Sequence, residues 1–404
     1  MGIISCLGLS RGEVAEALRA GRSGVRLLPE RRELGFQSAL SGVITGFDEK
    51  QFLDRKRRKT LSQYGLWAWA AVEQALVQAD IDLETLVGDE RTGLVFGNDS
   101  SAAPAAEQVE MLRAHGETRA IGSGHIFQML NSTITLNLNT ILKVRGVSWT
   151  VSSACASGAM AVGQGAELIA SGRQERVICG GAQEISWQGM CSLDAIGALS
   201  RRESTPHAAS RPFDRDRDGL VPSGGAAAVV LESMDSAQTR GVQVLGEIRG
   251  FHTTSDGGHV SIPTGEGLER AMRGALNDAR TTPEEIDLVL AHATSTPAGD
   301  RVEAAALRRI FTQDGTSGQG PLVTAVKGLT GHEFWMAGAS QVVYGLLMAH
   351  GGFVAGNVNL ANPDPAAEPL RLPRQAVDHR CRTMLCNAAG FGGTNAALVI
   401  GVPS

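Results

Sequence analysis

A cysteine stands among small residues where a predicted strand gives way to a predicted helix. The strand-like run 147–151 leads into the segment Ser152–Gly158 (SSACASG), and a helix of small residues continues to about Ala170. Backbone N–H groups at a helix N-terminus favour the thiolate, which is the nucleophilic form of cysteine. The segment therefore indicates Cys155 as a nucleophile. The competing interpretation is a small buried cysteine that packs a Gly/Ala-rich helix.

Two histidines lie in glycine-bounded loops that follow apolar runs. His292 begins the loop HATSTPAGD directly after the run 286–290, and open α/β sheets place their active sites at such strand ends. His332 and Lys327 flank a glycine turn in the segment TAVKGLTGH. Taken singly, each histidine also fits a hydrogen-bonded core or capping residue, and the lysine fits a surface position.

A glycine-rich segment near the C-terminus, Asn387–Asn395 (NAAGFGGTN), holds a single aromatic residue. Phe391 between glycines is either a turn anchor or a movable gate. The backbone N–H groups of such a loop can also stabilise an oxyanion that forms during a reaction. This segment is weak evidence when it is taken alone.

The elements that must position these loops alternate between strand and helix. Short apolar runs bounded by Gly or Asp predict buried strands at Thr92–Phe96, Arg176–Cys179, Ala226–Leu231, Ile286–Ala291, Thr383–Cys386 and Ala396–Ile400. Apolar residues at helical spacing predict helices over Leu61–Gln78, Gly265–Ala279 and Glu303–Ile310. The alternation predicts an α/β architecture with sheets covered on both faces.

The composition excludes several classes of protein. The 404 residues are 43% hydrophobic and 20% charged, and the net charge of -5 with a pI near 6.0 gives no reason to expect a nucleic-acid partner. Six scattered cysteines without metal-ligand spacing argue against a disulfide framework or a zinc site. We find no signal peptide or apolar run long enough for a membrane span, so we expect a cytoplasmic protein.

Taken together, these segments resemble the β-ketoacyl-acyl-carrier-protein synthases of the type I/II group. This group of thiolase-fold condensing enzymes includes the ketosynthase subunits of type II polyketide synthases. The segments that match the family are Ser153–Cys155, His292 with Thr294–Pro297 and Gly299–Asp300, Lys327 with Thr330–His332, Gly390–Asn395, and Pro212–Asp214 with Arg217–Gly219.

The resemblance implies an α/β fold of the thiolase type, in which two related α/β halves form a layered αβαβα sandwich. The sequence places the boundary near Thr239–Val244, after a polar helix. We therefore expect an N-terminal half at residues 1–240 that carries the nucleophilic cysteine, and a C-terminal half at 241–404 that carries both histidines. Compared with relatives, the first strand is expected to be short.

The resemblance also implies roles for the residues of the site. Cys155 would carry the acyl chain as a thioester, and His292 and His332 would hydrogen-bond the malonyl thioester carbonyl through Nε2 during decarboxylation. Lys327 and Glu303 would support His332 and set the local electrostatics. The N–H groups of Cys155 and of the gate residue Phe391 would form a second oxyanion hole. Further substrate-binding positions would be Thr294, Thr296, Leu220, Gly390 and Gly392.

The resemblance implies that substrates arrive on the phosphopantetheine of an acyl carrier protein, with no bound metal or nucleotide cofactor. Five consecutive basic residues, Arg55–Lys59, stand out in a net-acidic chain. Such a patch attracts an acidic partner, although a solvated helix start has the same composition. We expect carrier docking at Lys56, Lys59 and Arg119. We also expect a dimer, either a homodimer or a heterodimer with a chain-length-factor homologue.

Two other functions and one departure from the family pattern stay open at this point. A non-catalytic chain-length-factor-like subunit typically lacks the nucleophile, and a thiolase acting on coenzyme A thioesters generally uses a second cysteine. Leu220 and Ala389 replace phenylalanines found in most relatives, which indicates a roomier site for an unusual acyl chain such as a polyene. The residues 333–336 after the second histidine must alter packing beneath it.

Fatty-acid synthesis and polyketide or polyene synthesis require the same motifs.

Overall fold

The computed structural model describes residues 1–312 and 320–403. Its strands are β1 (Gly2–Ile4), β2 (Val25–Leu27), β3 (Leu40–Gly42), β4 (Thr92–Gly97), β5 (Ser148–Val151), β6 (Arg176–Gln183), β7 (Gly225–Glu232), β8 (Glu247–Ser255), β9 (Leu288–Leu290), β10 (Leu322–Thr324), β11 (Phe353–Val354), β12 (Val377–Asp378), β13 (Thr383–Gly390) and β14 (Thr394–Gly401).

Its α-helices are α1 (Arg11–Ala20), α2 (Pro29–Glu33), α3 (Arg55–Arg58), α4 (Gln63–Gln78), α5 (Leu83–Leu86), α6 (Ala102–His115), α7 (His125–Met129), α8 (Thr133–Leu142), α9 (Ser157–Ala170), α10 (Cys191–Ala195), α11 (Met234–Arg240), α12 (Glu266–Asp278), α13 (Pro297–Phe311), α14 (Lys327–Thr330) and α15 (Ala337–Gly351). The predicted strands and helices are confirmed. The strand predicted at Ile286–Ala291 is shorter in the structure, where β9 covers Leu288–Leu290. Most of the elements that sequence patterns did not predict are short.

Two five-stranded sheets in the described residues have the same internal design. The first runs β1-β7-β6-β4-β5 and the second runs β8-β14-β13-β9-β10. In each sheet three neighbouring strands are parallel, and the other two join antiparallel at one side. If the strands of each sheet are numbered along the chain, both sheets read 1-5-4-2-3. The two halves of the chain are therefore topological repeats of each other.

The helices form three layers around these sheets. Helices α9 and α15 contact each other and both sheets, so they lie between them. Helix α4 covers the outer face of the first sheet, and α12 with α13 covers the outer face of the second. The order of layers is αβαβα, which confirms the predicted thiolase-like sandwich. The first sheet uses residues 2–232 and the second uses 247–401.

The central layer explains why α9 consists of small residues. A Cβ atom added at Gly338 of α15 would lie 2.4 Å from the backbone N of Ala159 in α9. A Cβ atom added at Gly158 would lie 2.8 Å from the carbonyl oxygen of Trp335. Real Cβ atoms do not approach so closely, so these glycines permit the helices to cross at backbone contact. This crossing brings the N-terminus of α9 against the segment that precedes α15.

Candidate active site

The nucleophile lies in a strained turn between β5 and α9. Ala154 has a φ of +48°, a conformation that is unfavourable for a residue with a side chain. The hydroxyl of Ser157 supports the turn, since it donates to the carbonyl of Ala154 at 2.6 Å and accepts from the N–H of Ser153 at 2.8 Å. The turn aims the side chain of Cys155, which is 6% exposed, into a cavity between the two halves.

His332 lies directly beside this thiol. Its Nε2 is 3.1 Å from the Sγ of Cys155. Its backbone is held on both sides, because its N–H donates to the carbonyl of Val221 at 2.7 Å and its carbonyl accepts from the N–H of Ser223 at 2.9 Å. The backbone that carries the ring is therefore held by a segment of the N-terminal half, although the residue belongs to the C-terminal half.

His292 completes the group at the carboxyl end of β9. Its ring stands edge-on to that of His332, with 5.3 Å between the centroids and 89° between the planes. Its loop is held by Glu303, whose carboxylate accepts from the N–H groups of His292 and Ala293 at 2.7 and 2.6 Å and from Nδ2 of Asn387 at 2.7 Å. Glu303 thus supports the segment of the first histidine, which corrects our expectation that it would fix His332.

Both imidazoles are placed as neutral hydrogen-bond donors toward the cavity. Neither Nδ1 has a hydrogen-bond partner among the described residues. A proton on Nδ1 would be a buried donor without an acceptor, so the Nε2–H tautomer is favoured for His292 and His332. Burial, reinforced by the positive charge of Lys327, holds the pKa of both histidines well below the usual range. The pair can stabilise an oxyanion without carrying a charge of its own.

Lys327 lies behind the histidines, next to a second buried carboxylate. It shares the lining of a small closed cavity with Glu333, which is 1% exposed. The Glu333 carboxylate accepts from the hydroxyls of Tyr344 and Ser340, both at 2.6 Å. Burial lowers the pKa of Lys327, and the nearby carboxylates of Glu303 and Glu333 oppose that shift. The lysine charge is therefore balanced inside the protein and makes no contact with the main cavity.

The resting thiol differs from our expectation for a helix N-terminus. Cys155 precedes the first residue of α9, yet its burial raises the pKa of the thiol to about 12. Lys327 lowers this pKa and Asp99 raises it, but desolvation dominates. The predicted thiolate stabilisation by the helix is therefore wrong for the resting state. The thiol ionises only when its proton is removed, and the Nε2–H of His332, 3.1 Å away, is placed to hydrogen-bond the thiolate that results.

The cavity in front of these residues has a volume of about 280 Å³. The predicted substrate-binding residues Thr294, Thr296, Leu220 and Gly390 line it, together with Ala389. Gly392 is not part of the lining and donates its N–H to the carbonyl of Val260. The hydroxyls of Thr294 and Thr296 lie 3.1 Å apart on the wall, where they can bind the polar groups of an elongated ligand.

The two residues of the predicted second oxyanion hole, Cys155 and Phe391, both line the cavity. The backbone N–H groups of Cys155 and Phe391 donate to no backbone carbonyl in the turns and loops that the structure describes. Two such donors next to a nucleophile can bind the oxygen of a thioester that forms on it. The Phe391 side chain is 48% exposed at the cavity rim, where a gate would lie.

The residues after the second histidine pack directly on its ring, as the sequence predicted. Phe334 lies with its centroid 4.5 Å from that of His332 and contacts Trp335 at 5.6 Å. Phe334 belongs to an apolar cluster with Cys155 and Leu220, so it contributes to the cavity wall. The departure from the family pattern therefore changes the surface that a substrate meets.

The basic segment forms an exposed groove on one side of the protein. Arg55, Lys56, Arg58 and Lys59 line it, and Arg58 is paired with Glu49 at 3.1 Å. Arg119 is exposed on a turn before α7 but does not line this groove. Helix α7 does contact it, because Gln128 donates to the carbonyl of Lys59 at 3.0 Å.

Sequence reasoning missed three polar residues of the site. Asn387 binds Glu303, Tyr344 binds Glu333, and Asp99 accepts from the N–H of Ala154 at 3.1 Å. A signal existed for Asp99 only, because an acidic residue that follows the predicted strand 92–96 belongs at the sheet edge where active sites form. The other two lie inside secondary structure and become recognisable only through their contacts.

The described residues contain neither a candidate metal site nor a candidate membrane span. No group of three or more His, Cys, Asp or Glu side chains lies together there with the spacing of metal ligands. No helix in the same part of the chain has both the length and the apolar character that a membrane crossing requires.

The sequence of this chain is similar to those of known proteins over almost its whole length. Family models for the N-terminal and C-terminal domains of β-ketoacyl synthases match residues 1–237 and 245–361. The chain is 35% identical to 3-oxoacyl-[acyl-carrier-protein] synthase 1 of Escherichia coli K12 over 403 residues, 99% of this chain and 97% of that protein.

Solved structures agree over the whole chain. A β-ketoacyl synthase from Burkholderia phymatum STM815 has a TM-score of 0.93 at 32% identity, with 100% of this chain and 98% of that chain covered. The ishigamide ketosynthase/chain length factor has a TM-score of 0.91 at 29% identity, with the same coverage.

Proposed function

This chain belongs to the β-ketoacyl synthase family, and from that premise we propose that it is a 3-oxoacyl-acyl-carrier-protein synthase. The enzyme joins a malonyl thioester to an acyl chain held on Cys155, with loss of carbon dioxide, and so lengthens the chain by two carbons. The observation that carries the proposal is the arrangement of Cys155, His332 and His292 in one cavity, with 3.1 Å between Sγ and Nε2 of the first two.

Acyl transfer to the enzyme exchanges one thiol for another. Sγ of Cys155 attacks the carrier thioester, the new C–S bond forms, and the pantetheine thiol leaves. The proton released by Cys155 ends on the leaving thiol, and the Nε2–H of His332 stabilises the sulfur of Cys155 while its proton is lost. This step overcomes the high pKa of the buried thiol, because the proton never has to leave for bulk solvent.

Decarboxylation of the malonyl group needs a place for negative charge. The carboxylate leaves as carbon dioxide, and its bonding electrons form an enolate on the thioester. Two neutral Nε2–H donors, from His292 and His332, stabilise the enolate oxygen without protonating the carbon. The lowered pKa values of both rings support this role, since an imidazolium would quench the carbanion.

Condensation then forms the new carbon–carbon bond. The enolate carbon attacks the thioester on Cys155, whose carbonyl oxygen would accept from the N–H groups of Cys155 and Phe391. The C–S bond breaks, the 3-oxoacyl product stays on the carrier, and the cysteine sulfur takes up a proton. The chemistry requires no metal ion or nucleotide, because these four donors hold the developing charge.

The carrier protein would dock at the basic groove formed by Arg55–Lys59. The five basic residues outnumber the two carboxylates that pair with them, Glu49 at Arg58 and Asp54 at Arg57, and acidic partners are attracted to surfaces with such a net positive charge. Arg119 would contribute from a neighbouring turn rather than from the groove itself.

A dimer would form through the edge strand β5. This strand ends the first sheet and has a free edge, and its residues Ser148–Thr150 retain solvent exposure. Exposed apolar side chains also lie on α6 and α7, which precede α8 and β5 in the chain, among them Val109, Leu112, Ile126 and Phe127. A second copy or a chain-length-factor homologue would cover both features.

The two alternative functions receive less support from the site. A chain-length-factor-like subunit has no use for a thiol held against an imidazole, so the contact between Cys155 and His332 opposes it. A thiolase would need a second cysteine at the site, and Cys155 is the one cysteine that lines the main cavity in the described residues.

The deciding experiment is an extension assay read by mass spectrometry. Wild type and Cys155→Ala are given malonyl-carrier protein with a panel of saturated and polyunsaturated acyl-carrier thioesters. We expect a gain of two carbons that depends on malonyl and is lost in the variant, whereas Cys191→Ala, at an exposed cysteine, keeps activity. The acyl chain that is extended fastest shows whether the enzyme serves fatty-acid synthesis or polyene synthesis. Absence of both acylation and extension in wild type would contradict the proposal.

A further inference from the structure

Asp99 lies opposite the nucleophile because two neighbouring parallel strands end together. Strand β4 pairs with β5, and the N–H of Asn98 continues the ladder by donating to the carbonyl of Val151 at 3.0 Å. Asp99 therefore leaves β4 at the level where the turn of Cys155 leaves β5. Its Oδ2 accepts from the N–H of Ala154 at 3.1 Å.

This hydrogen bond acts on the strained residue of the turn. Ala154 has a left-handed backbone, and its own N–H is the group that Asp99 binds. The second support, Ser157, binds the carbonyl of Ala154 and the N–H of Ser153. Asp99 and Ser157 thus bind the N–H and the carbonyl of the same strained residue, Ala154, and Cys155 is the next residue along.

The same carboxylate carries a negative charge close to the thiol. The other charged or titratable groups that act on Cys155 are Lys327, whose positive charge favours ionisation, and His332, which lies in contact. Burial raises the pKa of Asp99 itself, and the bond from Ala154 opposes that shift. Since Asp99 is half-buried, its charge is only partly screened by solvent. It adds to the raised pKa of the Cys155 thiol.

We propose that Asp99 is a positioning residue for the nucleophile whose two actions oppose each other. Its hydrogen bond holds the strained turn in the geometry that aims Cys155, while its negative charge adds to the burial that disfavours ionisation of the unacylated thiol. The part that concerns condensation rests on the proposed function, and the part that concerns the thiol does not. Replacement by asparagine keeps an acceptor and removes the charge, whereas replacement by alanine removes both.

The test measures Cys155 alkylation and condensation in wild type, Asp99→Asn and Asp99→Ala. Iodoacetamide labelling at a fixed pH far below the thiol pKa is followed peptide by peptide, so that exposed Cys191 does not interfere. Loss of the charge increases the thiolate fraction more than it lowers the nucleophilicity of the thiolate, so we expect Asp99→Asn to react about threefold faster. Its kcat/KM for condensation should stay near that of wild type, while Asp99→Ala should lose about tenfold or more.

A matched control uses another half-buried aspartate near the same strand. Asp89 lies before β4, at the end away from the site, and accepts from Arg91 N–H and Thr92 Oγ1. Asp89→Asn should leave the alkylation of Cys155 unchanged. Circular dichroism checks that each variant folds, and Asp99→Ser replaces Asp99→Ala if the latter does not.

Two results would overturn the proposal. An unchanged alkylation rate in Asp99→Asn would show that the charge does not reach the thiol. Equal kcat/KM values for Asp99→Asn and Asp99→Ala would show that the hydrogen bond does not position the nucleophile. Failure of the proposed function looks different, because wild type would then alkylate normally and condense nothing, and the alkylation ratios would still decide the role of the charge.

Discussion

His332 Nε2 lies 3.1 Å from the Sγ of Cys155, although the two residues are 177 positions apart in the chain. One belongs to the turn after a strand of the first sheet, and the other to the segment between the second sheet and the central helix α15. Their contact exists because α9 and α15 cross at glycines in the layer between the sheets. The site is thus a product of the interface between two topologically equivalent halves.

Decarboxylation and acylation should be separable by mutation. In Cys155→Ala the histidine donors remain, so release of carbon dioxide from malonyl-carrier protein should persist while extension is lost. Adding His292→Ala to that background should reduce decarboxylation by about a hundredfold or more, the usual cost of one oxyanion donor. Carbon dioxide release from the single and double variants is the measurement. Equal rates in the two would contradict the role of His292.

The rate of decarboxylation should not change with pH in the range where an ordinary histidine titrates. Because the pKa values of His292 and His332 are held well below 6.5, both rings stay neutral as the pH falls through that value. We expect the decarboxylation rate of Cys155→Ala to be flat between about pH 5.5 and about pH 8. A decline centred near the ordinary histidine pKa would show that a ring protonates.

Stability should respond to the same lowered pKa values. In the unfolded chain a histidine has a pKa of about 6.5, so below that pH the unfolded chain binds protons that His292 and His332 do not bind in the folded protein. Each of these rings therefore lowers the free energy of unfolding as the pH falls. His292→Asn should therefore gain stability relative to wild type between about pH 7 and about pH 5, as measured by denaturant unfolding. Exposed His115→Asn is the control and should show no such change. A constant difference across this range would contradict the argument.

Glu333 should matter mainly through its hydrogen bonds. Glu333→Ala leaves the hydroxyls of Tyr344 and Ser340 without their acceptor inside the core, and should cost about 3 kcal/mol of unfolding free energy. Glu333→Gln can still bind both hydroxyls, and should cost about 1 kcal/mol. Denaturant unfolding measures both values, with exposed Glu30→Ala as the neutral control. Equal losses in the two variants would point to the charge instead.

Carrier docking at the basic groove should depend on charge and on salt. The double variant Lys56→Glu, Lys59→Glu should raise the KM for malonyl-carrier protein about tenfold or more at low ionic strength, and less at high. A short pantetheine thioester without the protein should be used as well as before. The control is Arg280→Glu, an exposed charge after α12. A KM that stays unchanged would place the docking surface elsewhere.

Local sequence was sufficient where neighbouring residues dictate the structure. The apolar run 92–96 and the periodicity of Leu61–Gln78 predicted β4 and α4, because burial of one strand or one helix face leaves its own pattern. The short strands β1, β2, β9 and β10 were missed or narrowed. Two to four residues carry too little pattern, and pairing across the sheet decides whether they are strands.

The sequence determined which residue types stand at the ends of the buried strands, and therefore that Cys155, His292 and His332 are chemical candidates. Tertiary structure decided what they do. Burial set the thiol and imidazole pKa values, and this reversed the thiolate expected at the start of α9. Tertiary structure also places the Glu303 carboxylate where it accepts from the N–H of His292, and the Asp99 carboxylate where it accepts from the N–H of Ala154. Desolvation depends on how the layers pack, and so do the contacts of Asp99 with Ala154 and of Cys155 with His332, which join residues 55 and 177 positions apart; no short window of sequence contains that information.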